Sequence, residues 1–295
     1  MKISIVIPTY NRAETLAKVL PSLLEQDFSD YEVLLADSNS TDETRQLLES
    51  LASPKINYLR GNYRGRGEAR NAGLNASKGE IVLFTDADII AEPNLLSEHF
   101  RFHQANPKAA VVGCEVQVDS YDEYREVQKN PEKRRTLHPP SRKELSWLYF
   151  LTGNASASRE SLLTVGGFDD NFTGYGHEDL ELGYRLQRSG LKILYNRLAV
   201  NYHWHPVGFA EKCEKMRLAG ISTVRFYNKH KDTQIKLKLG WNPLAFLWYD
   251  ALSLFPALVE VKKQQGENLT PFWQEIILQH CYLSGIKKAL KDGLN

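Results

Sequence analysis

From Ile3 to Thr85, short apolar runs alternate with segments of helical period, and few folds accept that pattern. Residues 3–7 (ISIVI) form a β-branched run stopped by Pro8, as a strand buried on both faces does. Helical spacing follows over residues 13–26, with Leu16, Val19, Leu20, Leu23 and Leu24 on one side. Residues 31–36 read as a second strand, ended by the polar turn Asp37-Ser38-Asn39-Ser40. Thr41 is the expected cap of the next helix, which carries Leu47, Leu48 and Leu51. Residues 56–59 form a third strand, residues 68–77 a helix and residues 80–85 a fourth strand. Such alternation predicts an α/β fold with a mostly parallel central sheet flanked by helices.

The spacing then predicts a helix from Pro93 to about Ala105 and a strand over 109–118. Residues 119–146 are highly charged and read as an excursion or a helix followed by a loop. Residues 149–158 (YFLTGNASAS) read as a strand running into a small-residue turn. Residues 160–165 form a short helix and residues 178–189 a longer one, with short strands at 192–195 and 199–202. From Gly208 onward the pattern is mostly helical. The expected organisation is one domain over 1–207, divided near residue 110, and a helical region over 208–295.

Polar residues gather where strands end, at Pro8–Arg12, Asp37–Ser40 and Asp86–Asp88. Ligands of open parallel sheets bind outside the carboxyl ends of the strands, so three separate segments point to one site. Asp86-Ala87-Asp88 directly follows a buried strand. Two carboxylates so placed suit Mg²⁺ or Mn²⁺, which take oxygen ligands and share them with substrate phosphates. The competing reading is that they cap the next helix.

The segments IVIPTYNR, ADSNSTDET and GRGEARNAGLNASKGEIVLFTDAD resemble family 2 glycosyltransferases in order and spacing. VGGFDDNFTGYGHEDLELGYRLQRSG and NYHWHP resemble the acceptor half of bacterial polysaccharide and galactosyl-type transferases. The resemblance runs over about residues 3–206 and implies the GT-A fold and an inverting sugar transfer. It implies that Pro8, Thr9, Tyr10 and Arg12 wrap the nucleotide and that Asp37 orders its pocket. Ser38 stands where many relatives carry an acid that reads uracil, so no base is assigned. Arg66 and Arg70 fall where the family contacts nucleotide and diphosphate, a solvated helix face being the plainer reading. Asp88 becomes the direct metal ligand, Asp86 a ribose or water-mediated metal contact, and His203 a third ligand with His205 as its alternative. Asp179 takes the acceptor proton, and Glu178 contacts the acceptor. Gly153 and Asn154 lie in the turn that lines donor sugar and acceptor. Trp204 either stacks on a sugar or belongs to the core.

The implied partners are a nucleoside-diphosphate sugar, a glycan or lipid-linked acceptor, and Mn²⁺ or Mg²⁺. Basic and acidic residues number 37 and 36, a balance that excludes bulk electrostatic attraction to nucleic acid. Cys114, Cys213 and Cys281 read as reduced thiols, and the first residues carry no signal-peptide pattern, so a cytoplasmic protein is expected. No run of about 18 apolar residues exists to span a bilayer. Residues 239–263, rich in Leu, Phe and Trp, suit either an interfacial helical pair or helices packed on a domain. Two other classes remain beside the transferase. One is a non-catalytic nucleotide-sugar-binding or assembly subunit. The other is a nucleotidyltransferase, against which the strand-end sequence PTYNR, in place of a Gly-rich phosphate loop, speaks.

Overall fold

The computed structural model describes residues 1–136, 143–204 and 207–294. The chain divides into two units, Met1–Thr173 with Glu178–Pro206, and Gly174–His177 with Val207–Asn295.

The first unit opens with β1 (Ile3–Thr9), α1 (Ala13–Leu24), β2 (Tyr31–Asp37), α2 (Thr44–Leu51), β3 (Ile56–Arg60), α3 (Arg66–Ala76) and β4 (Ile81–Phe84). It continues with β5 (Ile89–Ala91), α4 (Leu95–Ala105), β6 (Ala109–Val118), α5 (Tyr121–Lys129), β7 (Glu144–Leu145), β8 (Ala155–Ser158), α6 (Arg159–Thr164), α7 (Glu178–Arg188) and β9 (Lys192–Trp204). One sheet runs β3-β2-β1-β4-β8-β6-β9-β5, with β7 also on β9. All seven residues of β1 are buried. Ile3, Ile5 and Ile7 share one apolar cluster with Leu16, Val19, Leu20 and Leu23 of α1. Each such side chain contributes about 1.5–3 kcal/mol by leaving water.

The α/β class agrees with the sequence, and the parallel character belongs to the first half. β1 is parallel to β2 and β4, and β2 to β3. β8 then enters antiparallel between β4 and β6. The order at 149–158 is therefore the reverse of that expected, with the turn first and the strand Ala155–Ser158 after it. The two strands expected at 192–195 and 199–202 are one 13-residue strand, β9. Its register against β6 shifts between Gly113 and Cys114, which absorbs the irregular segment between them. β5 has three residues and no readable period. Asp42, not Thr41, stands at the start of α2, accepting from the Thr44 N–H at 3.1 Å and from the Ala13 N–H at 2.9 Å.

The second unit holds α8 (Phe209–His230), α9 (Thr233–Lys238), α10 (Pro243–Ser253), α11 (Pro256–Gln265) and α12 (Pro271–Lys291). α8 and α12 touch backbone to backbone. A Cβ on Gly220 would fall 2.0 Å from the Tyr282 carbonyl oxygen, and one on Gly285 would fall 1.9 Å from that of Arg217. Gly285→Ala must push the helices apart and is expected to cost about 1–3 kcal/mol, readable by urea unfolding. An unchanged midpoint would refute this contact. Within the same unit, Ser222 Oγ donates to the Tyr175 carbonyl at 3.0 Å, and His177 Nε2 lies 2.9 Å from Thr223 Oγ1.

Candidate active site

The ends of β1 and β2 are sewn together. The Ser38 N–H donates to the Thr9 carbonyl at 2.9 Å, and the Asn11 N–H donates to Ser40 Oγ at 2.8 Å. Asp37 is buried. Its carboxylate accepts from the Ser40 N–H at 3.0 Å and also receives the Tyr58 hydroxyl. Burial and that carboxylate push the Tyr58 phenol up to about 12. Asp37 thus shapes the pocket from within. Pro8 and Thr9 are buried, Ser38 is half-buried, and Tyr10 and Arg12 are exposed, so Tyr10 offers an open aromatic face beside the strand ends. Thr9 Oγ1, Thr85 Oγ1 and Arg70 Nε are buried without a protein hydrogen-bond partner among the described residues.

Arg70 is the centre of the arrangement. It is 1% exposed on α3, so it is not part of a solvated face. Its Nη2 donates to Asp86 Oδ1 at 2.7 Å and its Nη1 to Glu178 Oε1 at 3.2 Å. One guanidinium fork therefore ties the acid after β4 to the acid that opens α7. Glu178 is buried in an ion pair with Arg70, and exposed Arg66 stands 4.0 Å from the same carboxylate. Asp86 spends one oxygen on Arg70, which weakens the reading of it as a metal ligand.

Asp179 is half-buried on the first turn of α7. Burial raises its pKa, and the neighbouring Glu178 carboxylate raises it further. Arg70 opposes them, and the result is about 7. The residues leading into it are backbone outliers, with φ at 93° for Gly176 and 69° for His177.

Asp88 meets His203 through strand register. β5 pairs antiparallel with β9 so that Ile89 faces His203, and the Trp204 N–H donates to the Asp88 carbonyl at 2.9 Å. His203 Nε2 then lies 3.4 Å from Asp88 Oδ1, and Nδ1 lies 3.1 Å from Glu115 Oε1. Burial lowers the imidazole pKa, but hydrogen bonds to the two carboxylates outweigh it and push it up to about 10. His205 lies outside the described residues. Glu115 was missed by the sequence reading. Its signal is the alternation of Glu115 and Gln117 with buried Cys114, Val116 and Val118 on β6. Gly153 lies against it, since a Cβ there would fall 2.2 Å from Glu115 Oε2. Trp204 packs on the core beneath Lys18, whose Nζ sits 4.4 Å from its ring centre.

Asn154 is buried, with Oδ1 2.8 Å from His99 Nε2 and Nδ2 donating to the Ala199 carbonyl at 3.0 Å, so it braces the core. Ser156 Oγ lies 2.8 Å from both His99 Nδ1 and His103 Nε2. Burial lowers the two histidines to about 4 and about 3. The unfolded chain, with histidines near 6.5, therefore takes up protons first. Stability from these neutral imidazoles is full above pH 6.5 and is lost toward pH 4, on the order of 1.4 kcal/mol per pH unit for each. Urea midpoints at neutral and mildly acid pH test this. His103→Gln should flatten the dependence by about one proton, and an unchanged slope would contradict it.

Comparison with known proteins places the chain in a family. The family model described as "Glycosyl transferase family 2" matches residues 4–166, and that described as "N-terminal domain of galactosyltransferase" matches residues 135–204. Validoxylamine A glucosyltransferase of Streptomyces hygroscopicus subsp. jinggangensis is 31% identical over 263 residues, 77% of this chain and 61% of that protein. The chain thus spans about three-fifths of this relative's length. Poly(ribitol-phosphate) beta-N-acetylglucosaminyltransferase TarS of Staphylococcus aureus is 40% identical over 93 residues, 30% of this chain and 16% of that protein. The mannosyltransferase PcManGT of Pyrobaculum calidifontis, solved with GDP-Man and Mn²⁺, superposes with a TM-score of 0.65 at 20% identity, over 99% of this chain and 88% of the other. That likeness establishes the fold, an α/β sheet of the GT-A kind.

Proposed function

The chain belongs to glycosyl transferase family 2, and from that premise we propose that it moves a sugar from a nucleoside diphosphate to a hydroxyl of a glycan or lipid-linked acceptor, with inversion. The observation that carries the reading is the Arg70 fork. It holds the strand-end acid Asp86 and the helix acid Glu178 in one unit, with Asp179 beside them.

Asp179 acts as the general base. A sugar hydroxyl is a poor nucleophile, and a carboxylate on its proton lets it attack as charge develops. A base with a pKa near the working pH suits that task. Glu178 and Arg70 position Asp179 and set its proton affinity. Pro8, Thr9, Tyr10 and Arg12 hold the nucleotide, with Tyr10 as the exposed aromatic platform and Asp37 and Ser38 forming the pocket wall. Gly153 leaves room beside Glu115.

A divalent cation fits Asp88 and His203 if it displaces the proton that His203 Nε2 shares with Asp88, while Nδ1–H stays on Glu115. Neighbouring donors on one octahedral ion lie about 3 Å apart, and these two stand 3.4 Å apart. Among the described residues no group of three or more His, Cys, Asp or Glu is arranged to hold a metal, so diphosphate oxygens and water would complete the shell. When bound, Mn²⁺ or Mg²⁺ would neutralise charge on the departing diphosphate. The Mn²⁺ in the mannosyltransferase structure supports the choice of ion, and the name of the S. aureus relative supports a polymeric acceptor in polysaccharide or glycolipid synthesis.

A panel of nucleotide sugars assayed for nucleoside diphosphate release, with Mn²⁺ and with EDTA, tests the reading. Cation-dependent release from one donor is expected. Release from none, with every acceptor class supplied, would leave a binding subunit as the better account.

A further inference from the structure

No single helix among the described residues is long and apolar enough to cross a membrane. The second unit nevertheless exposes an apolar corner. α10 and the run Pro256–Asn268 meet at 91°, and Leu254, Phe255, Pro256, Ala257 and Leu258 at that bend are consecutive, uncharged and all exposed. Runs of three or four consecutive exposed apolar residues are a liability that a functional surface justifies. The outer face of α10 continues the patch through Leu244 and Leu247, 77% and 66% exposed. Its inner face already has partners, since Phe246 and Tyr249 pack against Leu283 and Ile286. The corner therefore adds nothing to the unit's own core.

We infer that this corner is an anchor that inserts into the headgroup region of an anionic lipid bilayer. Charge identifies the occupant. Residues 207–295 carry thirteen lysines and arginines against eight acids, whereas residues 1–206 carry 24 against 28. Positive charge is thus segregated onto the unit that bears the apolar corner, and anionic headgroups attract such a surface. Lys262 and Lys263 lie in the last turn of α11, and Lys287 Nζ lies 4.8 Å from the ring centre of Tyr249 on α10. Apolar tips with lysines and aromatics behind them are the pattern of interfacial anchors. Protein interface cores are poor in Lys, and Leu is under-represented among their hot spots, whereas this patch is built mainly of Leu on a Lys-rich unit. Of the two acids on α10 and α11, Asp250 is paired with Lys287 and Glu260 is exposed beside the patch.

The inference is independent of the transfer chemistry and is tested on the whole chain by vesicle flotation. The chain is expected to float with phosphatidylcholine vesicles containing about 30% phosphatidylglycerol, and much less with phosphatidylcholine alone or at high salt. The double variant Leu254→Asp/Phe255→Asp is expected to weaken binding at least roughly tenfold with its melting temperature unchanged. Leu247→Asp/Leu258→Asp reads the same surface if the first variant folds poorly. Three results would overturn the inference. The chain stays unbound by anionic vesicles, the variants bind as tightly as wild type, or light scattering shows a self-associated species that the variants dissolve while lipid binding is absent.

Discussion

Asp179→Asn is expected to lower kcat by about 10²–10⁴-fold, the usual worth of a positioned base, with little change in donor KM. The amide keeps the shape of the side chain and removes its proton affinity. Because burial and Glu178 hold the acid at about 7, wild-type activity should fall as pH drops below that value. The decline should approach tenfold per pH unit, because only the ionised carboxylate can take the proton. In the variant the acid limb disappears together with the activity. A variant that turns over near the wild-type rate, with its thermal unfolding unchanged, would remove Asp179 from the mechanism.

Arg70→Met should be the most damaging change to the folded state in the first unit. Arg70 is 1% exposed and contacts two carboxylates, one of them on buried Glu178. Deleting the cation leaves their charge without compensation, which costs about 3–5 kcal/mol. Arg70→Lys should recover little, because a point charge cannot span both acids as the guanidinium fork does. Adding Glu178→Gln to Arg70→Met should restore part of the loss, since it removes one of the stranded charges. Urea unfolding of the single and double variants measures this. An Arg70→Met protein within about 1 kcal/mol of wild type would mean that the fork does not organise the site.

What was legible in the sequence follows from how local each signal is. β1, β2 and β4 are mostly apolar runs that end in polar residues, so they and their strand-end clusters could be read without the structure. Asp86, Asp88 and Asp179 stand out for the same reason, as acids at element boundaries. Contacts set by strand register or by distant helices were hidden. Glu115 and His203 are 88 positions apart and meet because β6 and β9 pair in parallel across a crossover. Arg70 and Glu178 are 108 apart, and no local pattern shows that a basic residue on α3 is swallowed by the fold. Asn154 sits in a turn of small residues, which reads as a ligand-lining loop until His99 of α4 is seen on its amide. The second unit was legible only as helical. Its close crossing depends on Gly220 and Gly285, two glycines that look like helix breakers until a partner backbone fills their place.

The proposed transfer is a single displacement, with one base on the acceptor side of the donor sugar and the diphosphate leaving on the other. Proton NMR of the first-formed product, made with whichever donor the panel identifies, tests it directly. The anomeric coupling constant is predicted to report a configuration opposite to that of the donor. Retention of the donor's configuration would contradict it, because a lone Asp179 base in one in-line step cannot produce that outcome.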